Sequence, residues 1–119
     1  MLNKTHGHID FNKSAKEIEL LVRGLNPWPS AYTSLANKGF KIWKADVIES
    51  DVNKDTRVTK DMFKAKCGEV IYVDKKSLLV NTKDGILDLL EVQLEGKKRM
   101  FIEDFLRGYS VNVGEVLGE

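Results

Sequence analysis

The spacing of apolar residues along the chain begins with a helical repeat. Four of them recur at i, i+3, i+4 and i+7: Ile18, Leu21, Val22 and Leu25. This spacing places them on one face of a helix. Ser14 and Glu17 have the spacing of a capping box at its start, and Gly24 supplies a stop signal at its end. We therefore predict a helix from about Ala15 to Arg23.

Beyond this helix the apolar residues alternate with a period of two, which is typical of strands. The turn-like "ANKG" separates two such segments, so residues 32–35 and 40–48 are predicted to form a hairpin. In a regular strand Phe40, Ile42 and Lys44 share one face, and the opposite face carries Lys41, Trp43 and Ala45. Lys41 and Lys44 can then line one groove only if the strand is bulged or twisted.

The second half of the chain continues as short strands. "GEVIYVD" and "SLLVNT" flank a turn at "KK", and "KDG" leads into "ILDLLEVQLE". Residues 49–66 are polar and indicate a long loop with no role that we can assign. Phe101 to Arg107 suits a short helix ended by Gly108, and "YSVNVGEVLGE" can add a last strand. We predict a mainly β fold, a small OB-like barrel of Greek-key character with a helix at each end.

Composition and charge exclude some classes of protein and favour none strongly. The 119 residues, 42% of them apolar, suit one soluble domain with no membrane-spanning segment. The start of the chain lacks the apolar stretch of a signal peptide, and the lone Cys67 fits a reducing cytoplasm. The net charge is only +1, but two basic segments contain no acidic residue. Their basic residues are Arg23, Lys38, Lys41 and Lys44 in the first and Lys97, Lys98 and Arg99 in the second.

A search for catalytic chemistry gives a negative result. The chain has no P-loop, no GxGxxG and no GxSxG motif. His6 and His8 are too few for a stable metal site, and Cys67 has no histidine partner that would activate it. Asp84 belongs to a turn, and Asp10 suits the region before a helix N-terminus. We predict no catalytic residue and no metal ligand in this chain.

Three segments together carry a resemblance to a known family: "HIDFNKSAKEIELLVRGLNPWPSAY", "FKIWKADVIE" and "TKDGILDLLEVQLEGKKRM". They resemble the C-terminal domain of the methionyl-tRNA formyltransferase family, over about Ile9 to Gly108. The NPWP element, Asn26, Pro27, Trp28 and Pro29, is its most specific part. On this resemblance residues 1–13 are a linker remnant or disordered tail, and 14–119 form the OB-like domain.

The resemblance implies a function for the parent protein. The parent enzyme would transfer a formyl group from 10-formyltetrahydrofolate to methionyl initiator tRNA, in the cytoplasm, for translation initiation. The catalytic domain would lie before this chain, so that the chain alone is an inactive fragment without a cofactor. Its partners would be the initiator tRNA and that catalytic domain, and we expect a monomer.

Residue roles follow from the basic segments and the resemblance together. The candidates for tRNA backbone contact are Arg23, Lys41, Lys44, Lys97, Lys98 and Arg99. The prolines beside Trp28 restrict the backbone, so the NPWP element is expected to fix the first helix against the barrel. Trp43 is expected in the core, with nucleic-acid contact as the second interpretation. The alternative function is a module that positions domains in a related folate-dependent formyltransferase or dehydrogenase and binds no RNA.

Overall fold

The fold is mainly β, with one helix before the strands and one after them. The computed structural model describes residues 8–24, 31–48, 58, 62 and 64–118. In chain order the elements are α1 (Ala15–Gly24), β1 (Tyr32–Leu35), β2 (Lys38–Ile48), β3 (Val70–Val73), β4 (Leu78–Asn81), β5 (Ile86–Leu94), β6 (Met100–Phe101) and α2 (Ile102–Gly108). The predicted fold class is confirmed. The NPWP element and most of the 49–66 segment lie outside the described residues.

Helix α1 begins at the predicted capping box. The backbone N–H of Glu17 donates to Ser14 Oγ over 3.1 Å, and the Ser14 N–H donates to Glu17 Oε1 over 3.3 Å. Two backbone donors of the first turn, which have no partner inside the helix, are thereby satisfied. Ile18 and Val22 are buried, as the helical repeat predicts. The sequence therefore determines both the start of this helix and the face that it buries.

The β1–β2 hairpin turns at Ala36 and Asn37. Both have a positive φ, +51° and +67°, as the central residues of a type I′ turn require. Asn tolerates this conformation better than Ala does. The hairpin is confirmed, although β2 starts at Lys38, two residues earlier than predicted.

The strands form one antiparallel sheet in the order β1-β2-β5-β4-β3, with β6 also paired to β5. Because β2 lies beside β5 and not beside β3, the consecutive strands β3, β4 and β5 fold back onto β2, which is Greek-key topology. The C-terminal segment joins the two sides of the sheet. Leu117 N–H donates to Gly68 O over 2.8 Å, before β3, and Gly118 N–H donates to Ser34 O on β1 over 2.9 Å. The sheet thus curls into the predicted OB-like barrel.

Gly68 permits the close approach of this C-terminal segment. Its φ is +90°, and a Cβ at this position would lie 2.9 Å from the carbonyl oxygen of Leu117. A side chain would therefore strain the backbone and also clash with the segment.

Apolar side chains are buried on both faces of the sheet. The main cluster fills the space between the sheet and the helices and includes Ile18, Phe40 and Phe105. The second cluster lies apart from it and consists of Ile48, Val58, Ile71, Leu79 and Ile86. Val58 comes from the segment that the sequence predicts as a polar loop, and it is only 7% exposed. This part of the predicted loop therefore packs on the sheet.

The segment before α1 also packs against the domain. The N–H of Ile9 donates to Tyr32 O over 2.8 Å, and the side chains of Ile9 and Phe11 are buried in the main cluster. Ile9 and Phe11, which lie in the segment 1–13 that the sequence assigns to a linker remnant or disordered tail, therefore contribute to the core. Within the described residues, no helix is long and apolar enough to cross a membrane.

Candidate nucleic-acid interface

Strand β2 departs from regular alternation in its middle. Ile42 pairs with Val92, Lys44 with Glu91 and Ala45 with Leu89, so the register shifts by one residue at Trp43 of β2 and shifts back at Leu90 of β5. This arrangement is a β-bulge. Beyond it Ala45 is buried, and Lys44 is exposed like Lys41. The predicted assignment of Lys44 and Ala45 to faces is wrong, because the bulge shifts the alternation by one residue.

The bulge also places Trp43 on the outer face of the sheet. Its side chain is half-buried, and it belongs to neither apolar cluster. The indole Nε1–H donates to Gln93 Oε1 over 3.1 Å. The Arg99 guanidinium lies 4.6 Å from the ring centre and Lys41 Nζ lies 5.9 Å from it, which are cation–π distances. The expectation that Trp43 is a core residue is wrong, because its ring supports two cations at the surface.

The side chain of Arg99 is held by contacts with two strands. Its guanidinium packs on Trp43 of β2, and its Nε–H donates to Glu91 Oε1 of β5 over 2.6 Å. Arg99 itself immediately precedes β6. Glu91 binds Nε, and within the described part of the chain no residue forms a hydrogen bond or ion pair with Nη1 or Nη2. The side chain is 42% exposed, so its planar fork can still reach a phosphate or carboxylate.

The turn between β5 and β6 carries the remaining basic residues of the second segment. Lys97 N–H donates to Leu94 O over 2.9 Å, and the Lys97 carbonyl accepts from Gln93 Nε2 over 3.0 Å. Gln93 therefore joins the indole of Trp43 to the backbone of this turn. Lys97 and Lys98 are both exposed, so their ammonium groups extend the cationic surface beyond Arg99.

We call this surface the Trp43 face. It consists of Lys41, Trp43, Lys44, Glu91, Gln93, Lys97, Lys98, Arg99 and Phe101. Sequence reasoning missed Glu91, Gln93 and Phe101. The alternation of "EVQ" in β5 places Glu91 and Gln93 on the face opposite the core. Nothing in the sequence pairs these two residues with Arg99 or Trp43. Five of the six predicted tRNA-contact residues lie on or beside this face: Lys41, Lys44, Lys97, Lys98 and Arg99.

Arg23 lies elsewhere. It belongs to α1, whose buried residues pack in the same cluster as Phe40 and Ile42 and hence on the core side of β2. Its guanidinium pairs with Glu19 on the same helix over 3.2 Å. The structure therefore does not bring Arg23 into contact with the Trp43 face.

The other residues considered in the search for catalytic chemistry, His8, Cys67, Asp10 and Asp84, make contacts within the fold. The ring of His8 packs edge-on against Tyr32 with 5.3 Å between centres. Cys67 is half-buried against the main cluster. Asp10 Oδ1 accepts from the Asn12 N–H, and the Asp84 carbonyl accepts from the Ala15 N–H. Across the described ranges no three His, Cys, Asp or Glu side chains are grouped in a way that could hold a metal ion.

Comparison with known proteins places this chain among formyl transferases. The family "Formyl transferase, C-terminal domain" matches residues 1–110. The methionyl-tRNA formyltransferase of Lachnospira eligens is 47% identical over 119 residues, which is 100% of this chain and 36% of that protein. The enzyme of the same name from Clostridioides difficile is 42% identical over 118 residues, or 99% of this chain and 35% of that protein. The chain thus spans about a third of the length of these curated relatives.

Solved structures share the fold at low identity. HypX from Aquifex aeolicus superposes with a TM-score of 0.61 at 15% identity, over 94% of this chain and 19% of HypX. A second structure of HypX, in complex with tetrahydrofolic acid, gives a TM-score of 0.60 at 14% identity, over 97% of this chain and 21% of HypX. At this identity the similarity concerns the fold alone.

Proposed function

This chain belongs to the formyl transferase C-terminal domain family, and we propose that it is the tRNA-holding domain of a methionyl-tRNA formyltransferase. The parent enzyme would transfer the formyl group of 10-formyltetrahydrofolate to the amino group of methionine on the initiator tRNA. The product would start translation in the cytoplasm. Catalysis and the folate substrate belong, in this proposal, to the part of the enzyme that the relatives have beyond this domain.

The Trp43 face is the observation that carries the proposal. Lys41 and Lys44 come from the first basic segment, and Lys97, Lys98 and Arg99 come from the second, more than fifty positions later in the chain. A chain with a net charge of only +1 therefore concentrates cations of both segments on one side of its sheet. Such a local patch attracts a polyanion even when the whole protein is nearly neutral.

The face as defined holds one acid, Glu91, against five cations, and Glu95 lies in the adjoining turn after β5. Glu91 is bound to Arg99, and Glu95 accepts from the Gly39 N–H through Oε1 over 3.2 Å. Lysine and arginine bind a nucleic acid by neutralising phosphates and releasing counterions. A contact of this kind reads the shape of a folded RNA more than its sequence. The domain would then hold the body of the tRNA as a monomer while the aminoacyl end reaches the catalytic domain.

Titration of the chain with initiator tRNA, followed by fluorescence anisotropy at two salt concentrations, tests the proposal. If all five cations contact phosphates, affinity falls about 500-fold between about 50 mM and about 200 mM salt. Charge reversal of Lys97, Lys98 and Arg99 to Glu leaves two contacts at most, and the salt-dependent loss drops to about tenfold or less.

The matched control reverses Lys13, Lys16 and Lys83, which are also exposed. They surround the contact between the start of α1 and the β4–β5 turn, where Ala15 N–H donates to Asp84 O. Both triple variants have the same net charge, so only the position of the change differs. Equal weakening by the two variants, or no binding of the unmodified chain at low salt, would refute tRNA holding by the Trp43 face.

The alternative is a module that positions domains and binds no RNA. The fold also occurs in HypX. Because a fold does not by itself specify a ligand, this occurrence is a reason to test the alternative. Under this alternative neither triple variant changes tRNA affinity. Both variants would still fold, and the variant of the Trp43 face would lose stability only through the Arg99 contacts with Glu91 and Trp43.

A further inference from the structure

Phe101 has the most exposed large apolar side chain among the described residues, at 64%. A single exposed apolar residue is ordinary on a protein surface. This one, however, stands on the Trp43 face among cations, where a solubilising polar residue would be expected. Its neighbour Ile102 is 5% exposed, so the chain buries the next side chain and leaves this aromatic ring in solvent.

The pairing of β5 with β6 places Phe101 beside the guanidinium of Arg99. Phe101 pairs with Glu91, and the carboxylate of Glu91 binds Arg99 Nε. Two residues along an extended strand span about 6.6 Å and lead to the same face. An exposed aromatic ring and a guanidinium with open Nη groups thus lie on the same face of the sheet, two positions apart in the chain and both beside Glu91.

Trp43 is the less accessible aromatic residue of this face, because its side chain is half-buried. The Arg99 guanidinium, 4.6 Å from its ring centre, and Lys41 Nζ, 5.9 Å from it, already lie against the ring. Phe101 takes part in no ring stacking and no cation–π contact with the described residues. The aromatic ring available to a base is therefore that of Phe101.

The charges around Phe101 favour an anionic occupant, which the proposed function identifies as RNA, over a second copy of this nearly neutral chain. Two acids follow it on α2, Glu103 and Asp104, and both pair with Arg107, over 3.1 Å and 3.5 Å. Lys44 pairs with the same β5 residue as Phe101 does, which places an ammonium group in the same row of the sheet. Lys44 and Arg99 thus place cations near the ring, and the acids nearest to it, Glu91, Glu103 and Asp104, are each paired with an arginine.

We propose that Phe101 stacks on an unpaired base of RNA while Arg99 binds the adjacent phosphate. The inference rests on the proposed function and deepens it. It makes the Trp43 face a site for an unpaired nucleotide of the tRNA, in addition to a general contact with its backbone. Base–aromatic stacking is tolerant of sequence, so this contact would recognise an unpaired position and not a particular base.

Two short labelled RNAs of equal length test the inference: an unstructured oligoadenylate and the same oligomer with an abasic site at every position. Phe101→Ala should weaken binding of the oligoadenylate about fivefold or more, since stacking on aromatic side chains contributes that much per base. It should leave binding of the abasic oligomer unchanged. Phe101→Trp should keep or strengthen oligoadenylate binding. Val113→Ala, at a residue that is 61% exposed, is the matched control.

The outcomes separate this inference from the proposed function. If Phe101→Ala weakens both oligomers equally, or neither, while charge reversal of Lys97, Lys98 and Arg99 still abolishes binding, stacking is refuted and the phosphate contact stands. If charge reversal also has no effect, the proposed function itself fails. If Phe101→Ala spares RNA binding and instead weakens association with the catalytic domain of a relative, the ring contacts protein, and the inference is overturned.

Discussion

The sharpest prediction concerns Trp43, because this residue is expected to act on RNA binding through Arg99. Substitution of Trp43 by Leu removes the ring under the guanidinium and the indole N–H donor to Gln93. Every charge of the Trp43 face stays. In this variant Arg99 would be less well oriented towards a phosphate, but its positive charge would remain.

The expected magnitude follows from these contacts. An arginine that keeps only its Glu91 contact must be ordered further when RNA binds, at about 0.5–1.5 kcal/mol for such a side chain. This corresponds to a 2-fold to 13-fold loss of affinity, with no change in its salt dependence. Arg99→Gln removes one cation instead, and it should reduce the slope of log affinity against log salt by about 0.9. In Trp43→Leu, loss of the cation–π contact and of the indole hydrogen bond should also lower the free energy of unfolding by about 1–2 kcal/mol.

The assay is a salt titration of tRNA binding by anisotropy for the unmodified chain and three variants, with thermal unfolding of each. Trp43→Phe is the matched control, since it keeps an aromatic face for Arg99 and loses only the N–H donor. It should retain most of the affinity. The reasoning is refuted if Trp43→Leu changes the slope as much as Arg99→Gln does. It is equally refuted if Trp43→Leu leaves the affinity unchanged while Arg99→Gln lowers it.

Three further predictions concern stability and are read from thermal unfolding. The Lys76 N–H donates to Asp74 and holds the pKa of this carboxyl below its ordinary value of 3.8. Its contribution to stability is therefore complete above that pH, is lost as pH falls through the lowered pKa, and should be absent in Asp74→Ala at every pH. Ser14→Ala removes the acceptor for the Glu17 N–H and should cost about 1 kcal/mol; an unchanged melting temperature would contradict the capping box. Ala36→Gly relieves a positive φ and should stabilise the hairpin by up to about 1 kcal/mol, so a lower melting temperature would speak against the turn geometry.

Local features of the fold could be predicted because their causes lie close together in sequence. The capping box spans Ser14 to Glu17, and the turn of the first hairpin occupies two residues. The burial of Ile9, Phe11 and Val58 was missed, since their partners are strands that lie far away in the chain. The same limit applies to the Trp43 face. Its basic residues are visible in the sequence, but the partners that orient them depend on the pairing of β5 with β2 and β6.

The bulge of β2 explains why a sequence with irregular alternation can serve both core and surface. Without it, the burial of Phe40 and Ile42 would turn Lys44 inward as well. An unpaired ammonium group in an apolar core is far more costly than a disrupted ladder hydrogen bond. The bulge at Trp43 and Lys44 returns Ala45 to the main cluster and leaves both lysines in solvent. The packing of the core therefore forces the bulge, and the bulge in turn gathers Lys41, Trp43 and Lys44 on the face that we propose holds RNA.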